Sequence, residues 1–336
     1  MDLEDSREIE TTEWEGGWLQ VKVPLPFSLR WVNSYVLPEP DGYTVIDPGL
    51  RTEEAIAAWE SVMERRRISF HDIRRIVLTH QHPDHYGLAG YFQQRSGAPV
   101  YMTREAFAYT QRLWGEEGAS SEELSALFRK HGMPGELADA IDRDFASFYK
   151  RVTPHPEVTF IEAGERMKFG GLEWELIGAG GHALGQVLFY SREKEVILCG
   201  DQVMPRITPN VGVVPGEDDD PLSTFLDSLS ELGRLRVKLA FPGHRDPFAG
   251  FAERTEELRL HHERRLADML EQLTQPRTGF ELCELHFGER LRSNPHNLRF
   301  AMAETLAHLY YLERRGRAER ALSGGGDMIS YRKSGE

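Results

Sequence analysis

The ten residues LTHQHPDHYG, from Leu78 to Gly87, place His80, His82, Asp84 and His85 within six positions. They follow the apolar run IRRIVLT and end on a glycine, where a buried strand gives way to a loop. Imidazoles and carboxylates are costly inside a strand unless they are partnered. At a strand end they are natural metal ligands, and neutral imidazole with carboxylate suits zinc, iron or manganese. His80 and His82 are two residues apart. That spacing does not share a helix face, but it lets both reach one ion from an extended loop. Asp84 and His85 turn the other way and can serve a second ion. Pro83, with its fixed φ, stiffens the turn between the two pairs.

Three further residues of the same kind close predicted strands. They are His182 in IGAGGHALGQ, Asp201 in EVILCGD and His244 in KLAFPGH. Each follows a glycine (Gly181, Gly200, Gly243), which lets the backbone turn sharply and approach closely. In α/β proteins, ligand-binding groups gather at one end of the strands, where loops meet over a rigid scaffold.

The elements that must carry these groups can be read along the chain. WLQVKVPL, NSYVLPE and GYTVIDPG are strands broken by Pro and Gly. RTEEAIAAWESVMERRR is a helix with Thr52 as N-cap. IRRIVLT is a buried strand, GLAGYFQQRSG a helix stopping at Gly97, and APVYMT another strand. From about Arg104 to Lys150 the pattern is helical and polar, which predicts an insertion. Short strands then resume, GQVLFYSREKEVILCGD forms a hairpin, and PLSTFLDSLSELGRL and FAERTEELRLHHERRLADMLEQL are helices. From Gln275 onward two helices and a β-wing (DMISYRK) follow. The expected class is α/β, with a catalytic domain over 1–274, a helical insertion at about 104–150, and a winged-helix-like domain over 275–336.

Taken in order, HQHPDH, GGHALGQ, LCGD and PGH resemble the motifs of the metallo-β-lactamase superfamily. DPG, from Asp47 to Gly49, resembles a turn common there, so the resemblance runs from Asp47 to about His244. It implies an αββα sandwich. It also implies that His80, His82 and His182 hold one metal ion, that Asp84, His85 and His244 hold a second, and that Asp201 bridges them. Two divalent ions follow, zinc first, with iron or manganese compatible. Two cations bring a bridging water toward neutral pKa. Asp84 and Asp201 would then act through metal-bound hydroxide, as ligands rather than free bases. The segment containing AMAETLAHLYYLERRGRAER resembles the small winged-helix domain of lactamase-beta-2-like proteins and some thioesterases.

The expected function is metal-dependent hydrolysis of an ester-type bond in a small-molecule acyl substrate: a thioester, a lactone or another acyl compound. A dinuclear nuclease or phosphodiesterase is the main alternative, since phosphodiesters suit two metals equally. An iron-dependent oxidoreductase fits less well, because Gln81 and Pro83 fill the variable places and every second-site ligand is present. A binding protein that kept only the fold is opposed by the intact ligand set. The formal net charge of -14 disfavours nucleic acid, although ten Lys and Arg against eight Asp and Glu from Gln275 onward leave room for a basic patch. Only Cys199 and Cys283 are present, so no disulfide framework is expected. MDLEDSREIE lacks the basic start and apolar core of a signal peptide, and no apolar run is long enough for a membrane span. A cytoplasmic protein is expected, and a homodimer is allowed.

The remaining histidines have plainer roles. His71, His131, His155, His286, His296 and His308 are expected to be satisfied or solvated, and His261 and His262 to lie on a solvated helix face. Cys199 is expected to be a small buried strand residue. GEDDD, from Gly216 to Asp220, is expected to be a solvated loop that favours a helix N-terminus. Arg206 and Asn210 are candidates for contact with an anionic substrate.

Overall fold

A strand buried on both faces carries apolar residues on both, and the early strands are rich in Val, Leu, Trp and Tyr with a few buried polar residues such as Gln20, Asn33 and Ser34. In the computed structural model, which describes residues 9–115, 121–323 and 327–335, β1 (Thr11–Trp14), β2 (Trp18–Pro24), β3 (Trp31–Glu39) and β4 (Gly42–Ile46) form an antiparallel meander. β5 (Ile73–Val77), β6 (Val100–Thr103) and β7 (Val158–Ile161) extend it in parallel, in the order β1 to β7. Alternate residues take opposite faces. Trp18, Tyr35, Leu37, Ile46, Val77 and Ile161 point toward a second sheet. Their neighbours Leu19, Val21, Val36, Val45 and Ile76 pack against helices.

The second sheet has the order β12-β11-β10-β9-β8. It contains β8 (Arg166–Phe169), β9 (Leu172–Gly178), β10 (Val187–Ser191), β11 (Val196–Gly200) and β12 (Leu239–Pro242). β10 and β11 are the expected hairpin, and β12 joins β11 in parallel. Phe169, Trp174, Leu176, Phe189, Leu198 and Phe241 complete the layer between the sheets.

Helices cover both outer faces. α1 (Glu53–Arg66) starts at Thr52, whose hydroxyl accepts from Ala55 N at 3.0 Å. It buries Ala55, Ala58, Trp59, Val62 and Met63. α2 (Pro83–Tyr86) is a single turn with Pro at its first position, and α3 (Ala89–Ser96) stops at Gly97 in the left-handed region. α4 (Arg104–Trp114), α5 (Glu122–Lys130), α6 (Gly135–Ala146) and α7 (Tyr149–Val152) fill the stretch between β6 and β7. On the far side lie α8 (Pro221–Leu232), α9 (Phe251–Gln272), α10 (Gly279–Phe287) and α11 (Pro295–Arg314). A small sheet of β13 (Arg277–Thr278), β15 (Met328–Lys333) and β14 (Ala318–Ser323) follows. The architecture is the expected αββα sandwich. The residues after Gln275 do not pack alone: Leu298, Met302, Leu306 and Tyr331 share one core with Phe225 and Leu258.

One sequence expectation is overturned here and another is met. His262 is buried, not solvated. Thr255, Leu258, His262, Leu266 and Met269 form the buried stripe of α9, a spacing of three or four residues that places His262 on the packed face. It meets the equally buried His308, Nδ1 to Nε2, at 3.1 Å. In the acidic loop, Asp220 is the N-cap of α8, accepting from Ser223 N at 3.3 Å and from Arg315 Nη1 at 2.9 Å.

Candidate metal centre

All five segments carrying the sequence-predicted groups leave the C-terminal ends of strands: Asp47 after β4, the 80–85 loop after β5, His182 beyond β9, Asp201 after β11 and His244 after β12. The two sheets are laced together at this edge. Val187 N donates to Thr79 O at 2.9 Å, Asn33 N to Gly243 O at 2.6 Å and the Tyr35 hydroxyl to Pro242 O at 2.7 Å. These bonds hold the loops of one sheet against those of the other.

The seven predicted residues are brought together. One nitrogen from each of His80, His82 and His182 falls in a group whose atoms all lie within 4.8 Å of one another, and Asp84, His85 and His244 form another such group. Asp201 stands between them. Its Oδ2 is 3.8 Å from His182 Nε2 and 3.3 Å from His244 Nε2, and its Oδ1 is 3.4 Å from His85 Nε2. Asp84 Oδ2 is 3.1 Å from His244 Nε2. A Cβ on Gly243 would sit 2.2 Å from Asp201 Oδ1 and 2.5 Å from His85 Cε1. That position therefore requires glycine for lack of space, not for its φ.

Four of the five imidazoles are fixed by an outward nitrogen, while His82 Nδ1 meets His80 Nε2 at 3.1 Å. His85 Nδ1 donates to Asp47 Oδ2 at 2.9 Å. The Thr79 hydroxyl donates to the same oxygen at 2.6 Å, so it accepts from His80 Nδ1 at 2.9 Å. Asp47 Oδ1 accepts from Thr79 N at 2.8 Å. One buried carboxylate thus orients one member of each group. His182 Nδ1 donates to Asn210 O and His244 Nδ1 to Trp31 O, both at 2.9 Å. With the outer nitrogens protonated, each inner nitrogen offers a lone pair once any proton it carries has been displaced. His85 Nε2, His182 Nε2, His244 Nε2 and Asp201 Oδ1 are buried without a hydrogen-bond partner among the described residues. Buried polar atoms are normally satisfied. Lone pairs converging from several sides are satisfied by cations, so the donor set fits a metal centre.

Electrostatics divides the cluster. Burial lowers the pKa of His80, His82 and His182, that of His82 to about 3, so this group is neutral and able to donate electron pairs. Burial acts the same way on His85 and His244, but there the carboxylates prevail. Asp201 leads in raising His85 well above its ordinary value and His244 to about 10. Burial pushes Asp84 and Asp201 upward, yet the facing imidazoles hold both below the usual carboxylate range. The second group therefore exists as ion pairs, and a metal entering such a site displaces protons.

A cavity of about 610 Å3 opens over the cluster, lined among others by His82, Asp84, His182, Asp201 and His244. Its walls are Phe27 and Leu29, then Trp114, Phe145 and Phe148 from the helices between β6 and β7, and Phe300 from α11. Arg206 is exposed and does not line it. Asn210 does, but its side-chain amide donates to Glu304 Oε2 at 3.1 Å and to Phe300 O at 3.2 Å. That amide pins the loop whose carbonyl holds His182. Cys199 is a buried strand residue whose thiol burial pushes up. Sequence reasoning noticed Asp47 only as part of a turn and missed Thr79. The signal available for Asp47 was its place before Pro-Gly, where it takes a left-handed φ of 48°.

The model of the metallo-beta-lactamase superfamily matches residues 30–244, which span Asp47, Thr79 and all seven candidate ligands. The chain belongs to that superfamily. A second model, the metallo-beta-lactamase-like C-terminal domain, matches residues 266–334. The solved metallo-beta-lactamase family protein TTHA1429 from Thermus thermophilus is 35% identical, with a TM-score of 0.83 over 94% of this chain and 98% of its own. The probable metallo-hydrolase YqjP of Bacillus subtilis is 26% identical over 91% of this chain and 93% of its own. Hydroxyacylglutathione hydrolase GloC of Haemophilus influenzae is 26% identical over 47% of this chain and 59% of its own.

Proposed function

We propose that this protein is a hydrolase dependent on two divalent metal ions, of the zinc type, that cleaves an ester-type bond in a small acyl substrate. The observation that carries the proposal is the convergence of partnerless buried lone pairs on Asp201 at the floor of a largely aromatic cavity. His80, His82 and His182 would hold one ion, Asp84, His85 and His244 the other, and Asp201 would touch both. The donor set is all imidazole and carboxylate, which suits zinc and is compatible with iron or manganese. When bound, the pair of cations supplies a hydroxide at neutral pH and polarises the scissile carbonyl.

The protein's own residues do the rest. Asp47 and Thr79 fix the rings of His80 and His85. Asp84 and Asp201 contribute the negative charge that balances the cations, and no Ser or Cys nucleophile is needed. Phe145, Phe148 and Trp114 form an apolar wall that excludes water and receives an acyl chain or ring. Similarity to a metallo-hydrolase along nearly its whole length supports the general activity. Similarity to a hydroxyacylglutathione hydrolase, whose substrate is a thioester, supports the bond type.

The test is hydrolysis of thioesters, lactones and phosphodiesters by protein of known metal content. His82→Ala and Asp201→Ala should each lose bound metal and at least about 1,000-fold in kcat/KM, equivalent to roughly 4 kcal/mol of barrier. Hydrolysis that survives removal of the metal would end the proposal.

A further inference from the structure

We propose that Arg299 is the specificity-determining residue of the cavity and that it binds an oxyanion, a carboxylate or a phosphate, on the substrate. The inference rests on the hydrolase reading and names the chemistry of what enters the site. Arg299 stands on α11 and lines the cavity together with the metal-centre residues. Its guanidinium carbon lies 4.1 Å from the Phe300 ring centroid and 5.5 Å from that of Phe145. Its Nε is buried without a partner. Among the described residues the guanidinium makes no hydrogen bond and no ion pair. Asp144 and the Tyr109 hydroxyl lie near enough to favour its charge, but neither bonds to it, and the Asp144 carboxylate instead sits 3.5 Å from His296 Nδ1.

A guanidinium has five donors in a rigid fork, and leaving the buried Nε of a half-buried one without an acceptor is unfavourable. Aromatic faces offset part of that through cation–π attraction, but they accept no in-plane hydrogen bond. The group that completes such a site is an oxyanion that presents two oxygens to accept two parallel N–H···O bonds, as a carboxylate or a phosphate does. The cavity's other arginine, Arg112, is unavailable, because it donates to Glu123 at 2.8 Å and to the Pro215 carbonyl. Of the acids that line the cavity, the exposed Glu122 has no side-chain partner among the described residues and Glu123 is paired with Arg112; the others do not repel an anion as the net charge suggests. Asp84 and Asp201 belong to the metal centre. Glu304 is tied to Arg265 and Asn210. Burial pushes the Glu217 carboxyl up to about 7, so it is partly neutral near physiological pH. The aromatic residues that share the cavity with Arg299 and the metal centre suit a substrate that carries an apolar or aromatic body beside its anionic group.

The experiment is a calorimetric titration of the metal-loaded protein with 3-phenylpropionate, with its neutral isostere 3-phenylpropionamide, and with phenyl phosphate. Wild type should bind one of the two anions about 10- to 100-fold more tightly than the amide, the range expected of charge-assisted hydrogen bonds. Whichever anion prevails identifies the source. Arg299→Gln should bring the anion-to-amide ratio toward one, with unchanged metal content and melting temperature. Arg299→Lys should keep part of the preference, because charge remains while the fork is lost. Should the Gln variant unfold or lose metal, the Lys variant decides, and a ratio equal to wild type there overturns the proposal. It is equally overturned if wild type shows no preference, or if the preference persists in Arg299→Gln and is therefore due to the metal ions. These readouts are binding constants, so failure to find a hydrolysed substrate leaves them separately legible.

Discussion

Replacing Asp47 by Asn exchanges one oxygen for an NH2 group and keeps the size. Asp47 accepts three hydrogen bonds, at 2.8 Å from Thr79 N, at 2.6 Å from the Thr79 hydroxyl and at 2.9 Å from His85 Nδ1. Asparagine has one oxygen, which can keep the bond from Thr79 N. Its amide then faces two groups that need an acceptor. The Thr79 hydroxyl must turn and donate to His80 Nδ1, and His85 Nδ1 must give up its proton to accept from the amide. Both imidazoles then carry their hydrogen on the inner nitrogen, where it blocks a metal. Two bonds to a carboxylate are lost, each worth about 1.5–3 kcal/mol, or roughly 3–6 kcal/mol divided between folding and metal binding. Outer partners of metal ligands typically change affinity by about 10- to 100-fold. The expected result is therefore about 10- to 100-fold weaker binding at both positions. The assay is competition with a chromophoric chelator, followed stepwise, with metal content measured in parallel. Thr79→Val offers the control, because it removes the partner of His80 and leaves the Asp47–His85 bond in place. It should weaken the first ion more than the second. Wild-type affinity for both ions in Asp47→Asn would refute the reasoning, as would equal loss of both ions in Thr79→Val.

Gly243→Ala should cost most of the bound metal and at least about 100-fold in kcat/KM, equivalent to roughly 2.7 kcal/mol. The added carbon meets Asp201 and His85, while Gly243 N and O are both held by short backbone bonds and cannot withdraw. Full metal occupancy in this variant would show that the collision is relieved. Acid should destabilise the packing between α9 and α11. Burial holds His262 at about 2 and His308 at about 3, so the unfolded chain binds more protons below about 6.5. Stability from this pair is complete above that pH and falls as pH drops toward the folded values. His308→Gln removes one such proton and should flatten the dependence of unfolding free energy by about 1.4 kcal/mol per pH unit between pH 6 and 4. An unchanged slope in urea titrations would contradict it.

The resemblance to the superfamily was visible because its chemistry is local. His80, His82, Asp84 and His85 sit in one short loop, and His182, Asp201 and His244 each follow a strand and a glycine. The strands themselves were legible because covered faces demand runs of β-branched and apolar residues, as in the IVL of IRRIVLT. The misreading of His262 came from weighing its charged neighbours in HHERR above the spacing of Thr255, Leu258 and Leu266. Tertiary packing on α11 chose the face. Arg206 and Asn210 drew notice for their nearness in sequence to Asp201, whereas the residue free to meet an anion is Arg299, almost a hundred positions later.

By itself, the sequence determined the kind and order of the candidate metal ligands, because ligand chemistry belongs to residue types and short spacings. It also determined the layers that carry them, because burial on one or both faces leaves a periodic record. Only the tertiary structure decided which groups orient those ligands and what encloses the substrate. The bonds from Thr79 to Asp47 cross 32 positions, and the cavity walls come from residues as distant as Phe27 and Phe300. Contacts of that length leave no spacing rule in the chain. The one unpaired guanidinium among the arginines lining the cavity becomes apparent only when every possible partner has been placed.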